Sequence, residues 1–380
     1  MKRHIVILGG GIAGVEAAIR MRKYNYQVTL VSDRDFLFIY PISIWIPFGI
    51  RRFDQASIPL IKLGTKHGFQ VVIDEFEDID IQNNTVQFKS SALSYDFLIL
   101  AIGMGKLKPA GIENTFSICG QPEQSLAIKK RLNELVEKGH GRIAIGFGGN
   151  PKDKSAVRGG PAFEMLFNFS TFLKRKGIRD QFEITLFAPM PEPGKRMGAN
   201  AIAKMPAYFK RYGIQTKIGS KITAFIKGEI RFEDGSHLES DLTLFIPGGN
   251  GHPKMKEAGL PTNEAGFVRI DDHCKVEGID NIYAVGDVAA LGGPEWAAKQ
   301  GHTAEIMAQV AVYNIHQTIR GSEKRRGYIR HLNILCIMDS GDGAAIVYRK
   351  DKKSMMIPLP LVGHWVKQGW GFYFRNTKLG

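Results

Sequence analysis

The sequence predicts an α/β fold made of two Rossmann-like dinucleotide-binding domains followed by a C-terminal region of different character. Three observations carry this. Strand and helix patterns alternate along most of the 380 residues, as in layers built on largely parallel sheets. A glycine turn, GGGIAG, follows the first apolar strand and opens a helix, the setting of a βαβ phosphate turn. A second apolar strand, RIAIGF, again runs into glycines. At this length, with 44% hydrophobic residues, the chain can bury large cores and divides into two or three domains.

The first element, HIVILGGGIAGVEAAIRMRKYNYQVTLVSD at 4–33, reads strand, glycine turn, helix, strand. Gly9, Gly11 and Gly14 form GxGxxG, which supplies a tight turn, close backbone approach to a pyrophosphate and helix packing on the sheet. An acidic residue normally closes the second strand to hold a ribose. Here Ser32 stands there and Asp33 follows. Further on, YDFLILAIGM at 95–104 is an apolar strand running into Gly103, and NIYAVGDVAAL at 281–291 ends a strand in Gly286-Asp287. These three pieces resemble the FAD signatures of the two-dinucleotide-domain flavoprotein disulfide reductases, over about residues 4 to 291. Against that stands the plainer reading of three ordinary strand ends in an NAD-binding α/β protein. The resemblance implies FAD as cofactor, with Asp287 at the ribityl or phosphate region and Tyr40-Pro41 near the isoalloxazine.

Such flavoproteins usually bind NAD(P)H in the second domain. In GFGGNPKDKSAVRGGPAFE, 146–164, the glycines are followed by Asn150, Pro151 and Lys-Asp-Lys, so the third packing glycine and the immediate helix start are missing. The next strand ends at Ala188-Pro189, with no side chain suited to a ribose or a 2′-phosphate. NAD(P)H binding is therefore expected to be lost. A near-match to a Walker A loop, ending at Lys154-Ser155, puts Asp153 before the lysine, where a carboxylate would repel phosphate. The domain boundaries expected from these pieces are 1–110 and 241–320 for the two parts of the FAD domain, 111–240 for the second Rossmann-like domain, and 321–380 for the C-terminal region.

Charge and cysteines bound the setting. Lys plus Arg number 51 against 37 acidic residues, a formal net charge of +14, which favours anionic surfaces or acidic small substrates. The basic residues are dispersed, with no zinc spacing, RNP-type motif or basic arm, so neither nucleic acid nor a metal is expected. Cys119, Cys274 and Cys336 form no CxxC pair and too small a set for a disulfide scaffold, which points to a reducing compartment or redox chemistry. MKRHIVILGGG enters a strand at once, leaving no room for a secretory segment. The best apolar run, 36–50, is shorter than the ~20 residues a span needs and contains two prolines. A homo-oligomer is left open.

The C-terminal region carries the more specific pattern. GGPEWAAKQGHTAEIMAQVAVYNI, 292–315, is a turn followed by a long helix, and HLNILCIMDSGDGAAIVY, 331–348, is a strand and turn carrying Cys336. The tail, 363–380, interleaves Trp365, Trp370, Phe372, Tyr373 and Phe374 with Lys367, Arg375 and Lys378. Aromatics mixed with cations suit an element lying at headgroup depth on anionic lipid, and equally a terminal helix packed on its own domain. SICGQPE (117–123), GPAFE (160–164), AAKQG (297–301), LCIMDSGDGAA (335–345) and the tail together resemble the sulfide:quinone oxidoreductase and flavocytochrome c sulfide dehydrogenase family, over nearly the whole chain.

That resemblance implies a peripheral enzyme of the cell membrane, on its cytoplasmic side, in which sulfide or a related sulfur nucleophile reduces FAD and FAD reduces quinone. Cys336 matches a flavin-facing cysteine and Cys119 an entrance cysteine. Where the second flavin-facing cysteine belongs, three residues before Pro161, the chain has Arg158, and Glu123 and Met197 stand where the family tends to have histidines. Three readings follow: Cys119 or Cys274 partners Cys336; Cys336 works alone with an external acceptor; or sulfide is not the substrate. Arg158 is read as stabilising an anionic flavin or thiolate, or as a surface arginine. Glu164 is read as a buried proton relay or as a helix-start acid. Lys299 and Gln300 are matched to quinone donors and Phe372 and Tyr373 to the quinone walls; Lys299 reads equally as a surface lysine. Cys336, on an apolar strand, also fits the core. The alternatives in function are a type II NADH:quinone dehydrogenase and a flavin-binding redox module without catalysis.

Overall fold

A computed structural model describes residues 3 to 379. The chain begins with β1 (His4–Leu8), α1 (Ile12–Arg22), β2 (Gln27–Ser32), β3 (Gln70–Ile73) and β4 (Phe97–Leu100). The second unit contributes β5 (Gly141–Phe147), α2 (Gly160–Arg175), β6 (Phe182–Ala188), β7 (Ile214–Ile218) and β8 (Leu242–Ile246). The chain then returns with β9 (Ile282–Ala284) and α3 (Gly301–Ile319), and ends in β10 (Ile334–Asp339), β11 (Gly343–Lys350), β12 (Lys353–Pro360) and α4 (Val362–Leu379).

Two parallel sheets organise these elements. The first runs β9-β4-β1-β2-β3 and the second β7-β6-β5-β8. Their strands are near-continuous apolar runs because helices and loops cover both faces, and β1, β4 and β8 are buried along almost their whole length. The β8 strand, Leu242–Ile246, pairs with β5 in the second sheet, so that unit extends one strand past the boundary expected at 240. The third sheet, β10-β11-β12, is antiparallel and carries α4 against it. Among the described residues no helix is long and apolar enough to cross a membrane.

The first glycine turn is tight for a steric reason. Gly9 sits at φ +109°, and a Cβ there would lie 2.3 Å from the Ala101 carbonyl oxygen. A Cβ on Gly14 would overlap the Gly9 carbonyl, so α1 packs directly on the turn. The second turn is closed instead: Val157 lies 2.8 Å from where a Gly149 Cβ would be, and buried Asn150 donates to the Gly249 carbonyl at 2.8 Å. Its glycines serve packing of the 150–157 loop.

α4 has an unusual polarity. Its buried stripe is Gly363, His364, Lys367, Gly371, Phe374 and Lys378, the i, i+3/i+4 spacing of one helix face. Three of those six are basic. Outward it presents Trp365, Phe372 and Tyr373, exposed by 69%, 66% and 66%. The helix is therefore charged toward the protein and aromatic toward the outside.

Candidate functional site

One cleft of about 1960 Å³ runs between the two parallel sheets and the C-terminal sheet, roughly twice the upper end of an ordinary small-ligand pocket. At one end it is lined by Gly9, Gly11, Ser32, Asp33, Pro41, Gly103, Gly286 and Asp287. A dinucleotide fits here. Nothing stands within 4 Å of where a side chain on Gly11 or Gly103 would begin, and buried polar atoms of Arg34 and Gln300 facing this cleft lack a protein partner. Such orphaned groups require a ligand or solvent. Ser32 is buried, and its hydroxyl accepts from the Arg34 backbone N–H at 3.3 Å, whereas the Asp33 side chain is 68% exposed. This end of the cleft is where a dinucleotide such as FAD would lie.

Cys336, Cys119, Glu164 and Arg158 all line the same cleft. Each arrives on a different element: Cys336 on β10, Glu164 in the second turn of α2, Arg158 in the loop before α2, and Cys119 in the 117–120 turn. Among the described residues the three cysteines are free thiols. Cys274 is fully buried at φ +65°, outside the cleft lining, so it is no partner for Cys336.

Arg158 is not a surface residue. Its guanidinium pairs with the Asp287 carboxylate and lies near enough to the Cys119 thiol to act on its charge. Burial pushes the Cys119 thiol up while Arg158 and Lys106 pull against it. A second cluster backs Cys336. Glu164 is 4% exposed; its Oε1 accepts from the Lys367 ammonium and, at 2.8 Å, from the Asp339 backbone N–H. Burial pushes the Glu164 carboxyl up against the pull of Lys367, as a carboxyl poised to exchange protons requires. Glu164 is thus a buried acid rather than a helix-start residue complementing the dipole.

Burial and the Glu164 charge push the Cys336 thiol up to about 12, with Lys367 opposing. Only the thiolate alkylates, so the rate of Cys336 carbamidomethylation in cofactor-free protein is expected to climb about tenfold per pH unit between pH ~8 and ~10 without levelling, whereas an ordinary thiol levels near ~8.5. Peptide mass spectrometry after timed iodoacetamide quenching checks this; a plateau below pH ~9 contradicts it.

The residues matched to a quinone are placed differently. Lys299 is 4% exposed; its ammonium bonds the Ala289 carbonyl and sits 3.9 Å over the Phe267 ring. Burial lowers it to about 8, partly offset by Asp287 and Asp153. It is no surface lysine, and it lines the cleft with Gln300, the residue preceding α3. Phe372 and Tyr373 do not line the cleft: they lie on the outward face of α4. Its inner face supplies Lys367, Trp370 and Phe374 to the cleft wall instead. The offset of one or two residues has a simple cause, since a residue one or two places along a helix turns to another face. The i, i+3/i+4 stripe through 363, 367, 371 and 374 was the signal that could have found these residues.

Residues 3–312 match the model of the pyridine nucleotide-disulphide oxidoreductase family. A sulfide-quinone reductase of Aquifex aeolicus (strain VF5) is 28% identical over 99% of this chain and 89% of its own length. The crystal structure of the sulfide:quinone oxidoreductase from that bacterium superposes with a TM-score of 0.88 at 25% identity, over 99% of this chain and 91% of the other. The NDH2 of Plasmodium falciparum, solved with NADH, shares the fold at a TM-score of 0.78 and 14% identity, over 100% and 95% of the two chains. With four-fifths of its residues matched to the family model, and with the glycine turn, strand ends and cleft of a dinucleotide-binding flavoprotein, this chain belongs to the pyridine nucleotide-disulphide oxidoreductase family.

Proposed function

We propose that the protein is a sulfide:quinone oxidoreductase in which Cys336 is the sulfur-carrying residue and the Lys367–Glu164 pair with Trp370 and Phe374 receives the quinone. The observation that carries this is that Cys336 and the Lys367–Glu164 pair share one wall of the FAD cleft, on β10, α4 and α2. The full-length similarity to the Aquifex enzyme supports it. FAD, when bound, takes two electrons from sulfur and gives them to the quinone.

The sulfur step balances with one cysteine: Cys–SH and HS⁻ give Cys–S–SH, one proton and two electrons. Glu164 is the base in reach of that proton, and Lys367 holds its carboxylate toward the cleft. Arg158 cannot carry sulfur. Fixed by Asp287 beside Cys119, it presents a cation to incoming hydrosulfide and favours thiolate at Cys119. Lys299 and Gln300 remain proposed as polar contacts of the bound ring system. The test is sulfide-dependent decylubiquinone reduction by the FAD-loaded protein; turnover with NADH and none with sulfide sinks the proposal.

The second part of the proposal concerns the membrane. The outward face of α4, with Val362, Trp365, Phe372 and Tyr373, follows exposed Leu361 just before the helix and exposed Met355 and Ile357 of β12. A continuous exposed apolar face is uncommon unless something covers it, and the net charge of +14 favours anionic lipid. Trp365→Ala combined with Phe372→Ala is expected to lower binding to anionic vesicles by roughly tenfold or more, at about 1.5–3 kcal/mol for each large apolar side chain buried. Vesicle flotation reads this out; unchanged binding would place the membrane face elsewhere.

A further inference from the structure

Reduction of a quinone to its quinol takes two electrons and two protons, and the electrons come from the sulfur. The protons have to reach an interior site. The inner face of α4 holds the groups for this. His364, one turn before Lys367, hydrogen-bonds through Nδ1 to Asp339 Oδ2 at 2.7 Å. Asp339 is fully buried. Its Oδ1 accepts from Trp45 Nε1 at 3.0 Å and from the Gly341 N–H at 3.0 Å, and its own N–H donates to Glu164. On the outer side, His364 Nε2 lies 2.7 Å from Gln368 Nε2, and Gln368 Oε1 accepts from Arg51 at 3.1 Å.

From these contacts we infer that His364 and Asp339 are proton-relay residues that act through Lys367, reloading the Lys367–Glu164 pair from the protein surface at the foot of the exposed apolar face of α4. This rests on the quinone half of the proposed function.

The topology supports a relay over a purely structural pair. Asp339 closes β10, three residues after Cys336, and His364 opens α4, so the pair joins the cleft wall to the helix that presents the apolar face. The charged groups around Asp339 are His364 and Lys367 from α4 and Glu164 from α2; around His364 they are Asp339 and, beyond Gln368, Arg51. Two acids and two bases packed together can exchange protons without building up net charge, which is what low-dielectric surroundings permit. His364 keeps slight exposure while Asp339 has none, so the order from outside to inside is His364, Asp339, Lys367–Glu164. One proton passes to the quinone oxygen from Lys367, and Lys367 is reprotonated from His364, one turn away on the same face of α4, while the Asp339 carboxylate takes up the His364 proton on Nδ1 and its backbone N–H ties that end of the relay to Glu164.

The experiment uses FAD-loaded protein reduced by light, so it does not depend on the sulfur donor. Reoxidation by decylubiquinone is followed by flavin absorbance, and proton uptake by an indicator dye in the same mixing shot. In the wild-type protein the two signals are expected to coincide. In His364→Ala both are expected to slow by about 100-fold, the lower end of the range for a lost general acid, and added imidazole is expected to restore most of the rate. Asp339→Asn, which keeps an acceptor for Trp45 and Gly341, is expected to slow both without rescue by imidazole. If His364→Ala and Asp339→Asn match the wild type in rate and pH profile, the relay is wrong and the quinone reading stands. Slowing that imidazole leaves untouched in His364→Ala assigns the pair a structural role and also overturns the relay. If the wild-type protein is not reoxidised by quinone at all, the proposed function itself fails.

Discussion

Replacing Cys336 by serine is expected to slow anaerobic reduction of the bound flavin by sulfide roughly 10³-fold or more, the scale on which removing a covalent nucleophile acts. Three facts set this expectation. Cys336 lines the FAD cleft, it is a free thiol, and its neighbours are the buried Glu164 and Lys367. A serine hydroxyl keeps the volume but cannot form a persulfide, so the fold is retained while the chemistry stops. Cys274→Ser serves as the contrast, because Cys274 is fully buried away from the cleft lining. Cys119→Ser discriminates between mechanisms. If one cysteine carries the sulfur, this variant loses only a thiol beside Arg158, and the rate falls far less than in Cys336→Ser. Equal loss in both would mean that two sulfurs are needed and that Cys119 moves to Cys336. Stopped-flow absorbance under anaerobic conditions measures all three variants.

The second large effect is on stability. Lys378, 7% exposed on α4, pairs with Glu16 of α1 and reaches Glu305 of α3 at 3.0 Å. Glu16 is 5% exposed and is also held by Arg20 and by Gln309 at 3.1 Å. Burial raises the Glu16 carboxyl, yet Lys378 and Arg20 overcome this and hold it below the usual range. Lys378→Met removes the cation shared by the buried Glu16 carboxylate and the half-buried Glu305 carboxylate. Breaking one side of a buried pair costs about 3–5 kcal/mol, because the remaining charge is left uncompensated. Urea unfolding should show a lower midpoint, and adding Glu16→Gln should recover part of the loss. A midpoint within error of the wild type would mean that α4 is held by other contacts, such as Arg375 donating to the carbonyls of Asp54, Gln55 and Ser57 at 2.9, 3.0 and 2.9 Å.

Much of the fold is legible in the sequence because it is local. Gly14 answers to a steric demand a few residues away, the Gly9 carbonyl, and the parallel strands announce themselves as unbroken apolar runs. The cleft-lining places of Cys336, Cys119 and Glu164 follow from motifs carried on single elements. What sequence patterns do not show is pairing across distance. Asp287 and Arg158 are 129 residues apart, and the Lys367–Glu164 pair spans 203; neither spacing leaves a trace in local periodicity. The tail shows a subtler limit. Its composition suggested an interfacial helix, but the aromatic-rich stretch 370–374 covers both faces, so Phe372 and Tyr373 could be mistaken for cleft walls in place of Trp370 and Phe374. The inversion of that helix, with His364, Lys367 and Lys378 turned inward, runs against the usual burial preference. It becomes intelligible only once Asp339, Glu164 and Glu16 are seen waiting for them.

The central claim, that electrons enter from sulfide at Cys336 and leave to quinone, is tested most directly by one anaerobic titration of the FAD-loaded protein, followed at the flavin band near ~450 nm. Sulfide is predicted to bleach the band, NADH to leave it unchanged, and decylubiquinone to restore it. Bleaching by NADH with no response to sulfide would contradict the account.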